Sequence, residues 1–407
     1  MLSMKFVVFF VWLCIVNAKV RLGLQNLTGR ADDYRIKIFS GVHIIDSYNY
    51  PVEKHTVVTR DGYILDIFRI PYSEKCKKRG MKPVVFLQHG LTCSADTFLM
   101  TGPKSGLPFM LVDACYDVWL SNSRGIRYSR RHTKMKSFGE AYWGFSWHEI
   151  GMEDLPAQFD YILSTTQQKA LHFVGHSQGC TTLMVLLSMR PEYNEKMKTI
   201  SLLAPAVFMH NSRSGLVNKL ESIIMKMKDC DFFGHTDAMR FVITVLCGFA
   251  SMKRYCTSLY LMANAQPTKF MNLSIIPLVL ATHPAAISSR QPKHFLQGGK
   301  RAGKFQQYDF GVRKNRKIYK QSSPPEYPLK NVRPKSPIHI FYSAGDSMTV
   351  AEDVLNLIST LGKVVAHRIP YLEWGHMDFI FAKTVAEVIN RPIMEVIGQF
   401  ENYKNGK

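Results

Sequence analysis

The stretch LHFVGHSQGCTTLMVLLSMRP, residues 171–191, decides the fold. An apolar run, Leu171–Val174, stops at Gly175. After Gly175-His176-Ser177-Gln178-Gly179 a second apolar run follows without a gap and ends near Pro191. The first run predicts a buried strand and the second a helix. A serine bracketed by two glycines at that junction marks a sharp, strained turn. Side chains in place of Gly175 and Gly179 would collide with the neighbouring strand and helix. The Ser177 hydroxyl is thereby held above a sheet edge, and the helix aims its amino end at a reacting carbonyl oxygen. The pentapeptide alone is a weak signal, met by chance in about one chain in ten of this length. The strand before it and the helix after it make it specific.

Working outward, the same rhythm recurs. HTVVTRDGYILDIFRIP (His55–Pro71) predicts a hairpin with a two-residue turn at Asp61-Gly62. PVVFLQHG (Pro83–Gly90) and YDVWLSNSRG (Tyr116–Gly125) predict strands leading into loops. Residues 152–166 have helical spacing, with Leu155, Phe159 and Ile162 on one side. TISLLAPA (Thr199–Ala206) predicts a further strand. Strands apolar throughout and alternating with helices argue a parallel sheet covered on both faces. The rhythm breaks between about Val207 and Pro334, a segment rich in Met, Lys and Phe with helical pieces such as FVITVLCGFASM. It resumes with IHIFYSAGDSMTV, a helix over Ala351–Leu361, VVAHRIPYLEWGHMDF and a last helix. Residues 207–334 therefore read as a mainly helical insertion between 19–206 and 335–407 of an α/β domain.

A serine nucleophile needs a base, and the base needs an orienting carboxylate. In a strand–elbow–helix fold they follow in the order Ser, acid, His. Asp346 lies just after the strand Ile338–Tyr342, and His376 lies in a loop before the last helix. Asp353 and Asp378 are the rival acids; the first falls inside a helix and the second sits two residues from the histidine. The oxyanion hole calls for two backbone amides. Gln178, next to the nucleophile, supplies one, and Leu91 in QHGLTCS the other. His89 reads as a brace for that loop rather than the base. This chemistry requires no metal and no organic cofactor.

The bulk properties frame this reading. The chain has 407 residues, 46% hydrophobic and 20% charged, as expected of a large globular domain with an insertion. Residues 1–18 read as a secretory signal peptide: Lys5, an apolar Phe6–Val16 too short to span a bilayer, and the small-residue site Val16-Asn17-Ala18. Asn26 and Asn272 head glycosylation acceptor triplets. Loss of Cys14 with the signal leaves Cys76, Cys93, Cys115, Cys180, Cys230, Cys247 and Cys256, an odd set with at least one unpaired thiol and no zinc spacing. The formal charge of +21 falls by one with Lys5. Basic clusters at Lys75–Lys82, Arg127–Lys136 and Arg313–Lys320 come without a nucleic-acid recognition motif, so an anionic membrane or lipid-droplet surface is the expected partner.

Together these segments resemble the acid lipase family, the gastric and lysosomal acid lipases with their insect relatives. The resemblance runs through YPVEKHTVVTRDGYILDIFRIP, PVVFLQHGL, YDVWLSNSRG with YSRRH, LHFVGHSQGCTT, GKFQQYDFG, and GD followed by IPYLEWGHMDFIF. It implies an α/β-hydrolase with a lid-bearing cap, long-chain fatty acid esters as substrates, and a secreted or lysosomal location. It carries nucleophile, acid and base onto Ser177, Asp346 and His376, and oxyanion donors onto Leu91 and Gln178. The chain departs from the family at Cys180, usually threonine, at Ser121, usually glycine, and at Met239, near which the usual cap cysteine partner is missing. A soluble esterase of shorter esters and a non-catalytic lipid-binding or storage protein are the competing readings. Oligomeric state is not legible.

Overall fold

The strand before Ser177 and its neighbours lie at the centre of a nine-stranded mixed sheet among the described residues. The computed structural model describes residues 40–78, 80–213, 215–234 and 268–404. In chain order the strands are β1 (Glu53–Val58), β2 (Tyr63–Ile70), β3 (Val84–Gln88), β4 (Asp117–Leu120), β5 (Arg131–His132), β6 (Leu171–His176), β7 (Met197–Leu203), β8 (Asp231–Phe232), β9 (Ile287–Ser288), β10 (Ile338–Tyr342) and β11 (Val364–Arg368). The order across the sheet is β1-β2-β4-β3-β6-β7-β10-β11, with β5 beside β2. Pairings are antiparallel from β1 to β4 and parallel from β4 to β11. β8 and β9 form a separate antiparallel ribbon. The helices that matter below are α1 (Leu155–Thr166), α2 (Gln178–Met189), α3 (Val312–Tyr319), α4 (Ala351–Thr360) and α5 (Arg391–Lys404).

Apolar continuity in the central strands follows from two covered faces. β3, β4 and β6 are buried at every position. Successive side chains point to opposite faces. Val85, Leu87, Val118, Leu120 and Val174 therefore join Ile393 and Ile397 of α5 in one core. Val84, Phe86, Trp119 and Phe173 join Leu155, Phe159 and Ile162 of α1 and Leu183 and Leu186 of α2 in the other. Phe86 meets Phe159 edge-on, ring centres 5.0 Å apart. The chain passes from β3 to β4 on one side, then returns to place β6 on the other side of β3. The carboxyl ends of β3 and β6 flank that reversal, where doubly covered parallel sheets open a crevice.

Details depart from expectation. The β1–β2 hairpin closes over three residues, not two. Thr59 N–H donates to Tyr63 O at 2.8 Å, and Gly62 N–H to Thr59 O at 2.9 Å. Gly62 sits at φ +98°, where a Cβ would come within 2.5 Å of Thr133 Oγ1. An Asp-Gly pair suits both turns; the strand register, with Val58 opposite Ile64, selects the longer one. β7 starts at Met197 and ends at Leu203, earlier than the Thr199–Ala206 reading. Cys76 and Cys115 form a disulfide that ties the segment after β2 to the one before β4. Cys93, Cys180 and Cys230 have no disulfide partner among the described residues. Residues 1–18, Asn26, Met239, the helical piece 241–252, Cys247 and Cys256 lie outside the described residues. Among the described residues no helix is long and apolar enough to cross a membrane.

One buried cation holds three segments together. Arg124, 2% exposed, follows β4. Its Nε donates to Asp154 Oδ1 at 2.7 Å just before α1, its backbone N–H to Asp154 Oδ2 at 2.8 Å, and its Nη1 to Asp61 Oδ2 in the hairpin turn at 2.6 Å. The guanidinium also lies 4.0 Å from the Tyr63 ring centre. Removing one partner of such a pair strands a buried charge, which costs about 3–5 kcal/mol. Arg124→Ala should lose stability on that scale in denaturant unfolding, while Arg60→Ala, which breaks an exposed pair with Glu153, should leave the midpoint nearly unchanged.

Candidate active site

Ser177 leaves β6 with φ 54° and ψ −118°, a conformation that L side chains rarely adopt. Local packing forces it. A Cβ on Gly175 would fall 2.7 Å from Phe173 Cε1, and one on Gly179 would fall 2.5 Å from Gln88 O and 2.9 Å from His89 O. The start of α2 is thus pressed against the end of β3. Ser177 N–H donates to Leu203 O at 2.9 Å, and Ser177 O accepts from Cys180 N at 3.0 Å and Ala206 N at 3.4 Å. The turn is fastened to β7 on one side and to its own helix on the other.

The structure brings Ser177, His376 and Asp346 together. His376 Nε2 stands 2.9 Å from Ser177 Oγ, and His376 Nδ1 stands 2.7 Å from Asp346 Oδ2. A carboxylate only accepts, so Nδ1 carries the proton and Nε2 accepts from the serine hydroxyl. All three residues are buried, with His376 at 9% the most exposed. Asp346 Oδ1 accepts from Met348 N at 2.8 Å and Thr349 N at 3.0 Å, and Oδ2 also accepts from Thr349 Oγ1 at 2.6 Å. Burial alone would push this carboxyl up. The neighbouring His376 and the Thr349 donors more than offset it, and it lies below the ordinary carboxylate value.

The rival acids are engaged elsewhere. Asp353, in α4, accepts from Asn211 N at 3.0 Å and Asn211 Nδ2 at 2.9 Å. Asp378 accepts from Gly375 N at 2.7 Å and Thr268 Oγ1 at 2.8 Å, and so shapes the loop carrying His376. Burial raises both carboxyls.

The β3 loop completes the crevice. A Cβ on Gly90 would sit 3.1 Å from Ser177 Cβ and 3.2 Å from His176 Nδ1, so the Gly90-Leu91 backbone runs against the serine. The Leu91 and Gln178 amides make no hydrogen bond among the described residues. His89 braces the loop. Its Nε2 accepts from Ser123 N at 3.1 Å, which leaves Nδ1–H to donate to Gly90 O at 2.8 Å. Burial pushes its pKa down to about 4, so the ring is neutral and fully used.

Four supporting residues were not foreseen from the sequence. His176 Nε2–H donates to His376 O at 3.2 Å and holds the backbone of the base. Burial, then repulsion from His376, pushes its pKa down to about 3. Ser343 Oγ donates to Trp374 O. A Cβ on Gly345 would meet Leu372 O at 2.3 Å, so only glycine lets the acid loop nest in the base loop. Thr349 is the fourth. The Gly345-Asp346 dipeptide was the available signal for this nesting. The departures at Cys180 and Ser121 are both accommodated: Cys180 Sγ donates to Gly175 O at 3.2 Å, and Ser121 Oγ to Gln158 Oε1 at 2.8 Å.

Comparison with known proteins agrees with this geometry. A family model described as "alpha/beta hydrolase fold" matches residues 83–383, and one described as "partial alpha/beta-hydrolase lipase region" matches residues 42–102. Lipase 1 of Drosophila melanogaster is 37% identical over 367 residues, covering 88% of this chain and 79% of that protein. Human gastric triacylglycerol lipase is 35% identical over 364 residues, covering 88% of this chain and 90% of that protein. A peroxisomal α/β-hydrolase structure from Saccharomyces cerevisiae shares the fold, with a TM-score of 0.52 and 14% identity over 86% of this chain and 89% of that one. With matches of that extent over a sheet of this topology, the chain belongs to the α/β-hydrolase family and, within it, to the acid lipases that its sequence resembles.

Proposed function

We propose that the protein is a serine lipase that hydrolyses long-chain fatty acid esters, triacylglycerols or sterol esters, through an acyl-enzyme on Ser177. The relay Ser177–His376–Asp346, at 2.9 and 2.7 Å, carries this reading. His376 Nε2 takes the hydroxyl proton as Ser177 Oγ bonds to the ester carbonyl carbon. The Leu91 and Gln178 amides stabilise the oxyanion of the tetrahedral intermediate. As the ester C–O bond breaks, the imidazolium returns the proton to the leaving alcohol. Water then gives a proton to Nε2, attacks the acyl carbon and releases the fatty acid, with Ser177 reprotonated. Asp346 stays ionised throughout and favours the imidazolium.

Residues 207–334 serve as the cap in this proposal. Its described parts touch both working loops: Ala285 N–H donates to Thr92 O at 2.6 Å beside the oxyanion strand, and Met271 pairs with Ala382 just after the base loop. Secretion or delivery to the lysosomal lumen fits the signal-like residues 1–18 and the Cys76–Cys115 disulfide, which belongs to an oxidising compartment. Asn272 lies part-exposed, its Oδ1 accepting from Ser274 N at 3.2 Å and Oγ at 2.7 Å, and is proposed to carry a glycan. The substrate is met at a lipid surface. A storage or carrier role has no use for a fully aligned relay.

Ser177→Ala should abolish hydrolysis of emulsified long-chain esters and labelling by a serine-reactive probe, with an unchanged unfolding midpoint. Activity well above the ~10³–10⁴-fold over water that binding and the oxyanion hole can leave would place the nucleophile elsewhere. Asp346→Asn should lower kcat by about 10⁴-fold because the imidazole adopts the wrong tautomer; Asp353→Asn should cost little, and a reversed ranking would sink the assignment. Thr349→Val removes a hydrogen bond to a charged group, worth about 1.5–3 kcal/mol. It should lower kcat roughly ten- to a hundredfold and let the Asp346 carboxyl rise, since the Thr349 donors help hold it low. Thr349→Ser should restore both.

A further inference from the structure

We propose that α3 and the following Lys320 dock the enzyme on an anionic phospholipid surface. This rests on the lipase reading, which places the substrate at an interface. The sequence marks three basic clusters, and the structure separates them. In Arg127–Lys136, Arg127 lies over the Tyr128 ring, Arg130 pairs with Asp231 and Arg131 with Asp66 at 2.7 Å. In Lys75–Lys82, Lys75 pairs with Asp113 at 2.7 Å. Those four charges are paired or ring-stacked, and the other exposed lysines, Lys77, Lys78, Lys134 and Lys136, are divided between the two clusters. In the third cluster, Arg313, Lys314, Arg316, Lys317 and Lys320 are all exposed. None of the five pairs with a carboxylate among the described residues. No acidic side chain lies on α3, and Asp309, which precedes it, is turned to its own loop, accepting from Gly311 N at 2.8 Å and Asn315 Nδ2 at 2.7 Å.

The helix is held from one side only. Asn315 is buried; its Oδ1 accepts from Phe310 N at 3.0 Å and its Nδ2 also donates to Ser322 O at 3.0 Å. Tyr319, one turn on, donates to Tyr308 O at 2.8 Å. Residues four apart share a face, so these two fix the inner face and the cations fan across the outer one. Val312 and Ile318, 55% and 53% exposed, lie at the flanks between the two faces. A soluble polyanion would use the cations and gain nothing from exposed aliphatics. A bilayer surface uses both: phosphate and carboxylate headgroups meet the cations and, closing round the helix, also cover Val312 beside Arg316 and Ile318 beside Lys314 on its flanks.

The test uses the full chain with Ser177→Ala, so turnover does not alter the vesicles. Binding is measured by sedimentation with phosphatidylcholine vesicles, with and without phosphatidylserine, at low and at physiological salt. Each cation near an anionic surface contributes about fivefold in partitioning, weakened by salt. Joint Arg313→Gln, Lys314→Gln, Arg316→Gln and Lys317→Gln should therefore lower binding to anionic vesicles by ~100-fold or more and leave neutral-vesicle binding unchanged. A control with the same charge loss at Lys77, Lys78, Lys134 and Lys136 should lose far less. Joint Val312→Ser and Ile318→Ser should weaken vesicle binding while retention on a heparin column stays the same. Equal losses in the two glutamine sets, or no preference of the parent for anionic vesicles, would overturn the proposal. So would serine variants that bind vesicles as the parent does, which would recast the face as a polyanion site. Hydrolysis of a soluble short ester, measured in the Ser177-containing forms, should be the same in all. Its absence there would count against the lipase reading and not against the docking surface.

Discussion

A single strained residue governs the architecture. Ser177 at φ 54° can exist only where strand and helix approach closely enough to leave no alternative, and that requires bare backbone at Gly175 and Gly179. A non-glycine residue in such a region costs on the order of 1–3 kcal/mol. The cost is offset by what surrounds it: fully buried β6, α2 buried from Gln178 to Ser188, and the Ser177 N–H fixed to Leu203 O across β7. The same closeness brings Gln88 O and His89 O, the end of β3, against Gly179. The proposed nucleophile and the loop bearing Leu91, the proposed second oxyanion donor, are positioned by one packing event.

Acid and base depend on a second close approach. Asp346 and His376 come from the loops after β10 and β11. Gly345 removes the side chain that would hold them apart, Ser343 ties the acid loop to Trp374 O, and Thr349 fixes Asp346 within its own loop. His176 adds a third tether, to His376 O. Each of these residues acts through the relay rather than on substrate. Replacing any of them therefore changes the aim of the imidazole before it changes the chemistry available.

What was legible from sequence follows from where local rules suffice. Apolar runs separated by glycine gave the parallel core, because a strand covered on both faces leaves no polar positions to blur the signal. Ser177, Asp346 and His376 were nominated because turn chemistry and chain order constrain them, and the fold brings them together. The third residue in the hairpin turn escaped because Asp-Gly serves two turn types and only the partner strand's register separates them. The Cys76–Cys115 pair escaped because seven cysteines admit many pairings and spacing does not rank them. Thr349 and His176 escaped for a different reason. Each looks like an ordinary residue until a backbone carbonyl or a carboxylate from another segment is placed beside it. Arg313–Lys320 stood out only as one of three basic runs, and what distinguishes it is that its five exposed cations follow one helix with no carboxylate partner among the described residues.

Three histidines meet at this site and their environments give them three roles. His89 and His176 are neutral because burial strips the solvent that an imidazolium needs, and their pKa values lie near 4 and 3. In the unfolded chain both would take a proton at about 6.5. Linkage then fixes the sign: the unfolded state binds more protons below that value, so stability falls as pH drops from about 6.5 through the folded values. Asp346 acts in the same direction, since its lowered carboxyl is stabilising above the ordinary carboxylate range and loses that contribution in stronger acid. Over the interval in which the folded chain refuses these protons, the scaffold around Ser177 keeps one charge state while its stability declines steadily. His376 alone has a carboxylate to receive an imidazolium. In the proposed mechanism proton traffic is thereby confined to one ring, and the other two serve as fixed dipoles that hold the Gly90-Leu91 loop and the His376 loop in place.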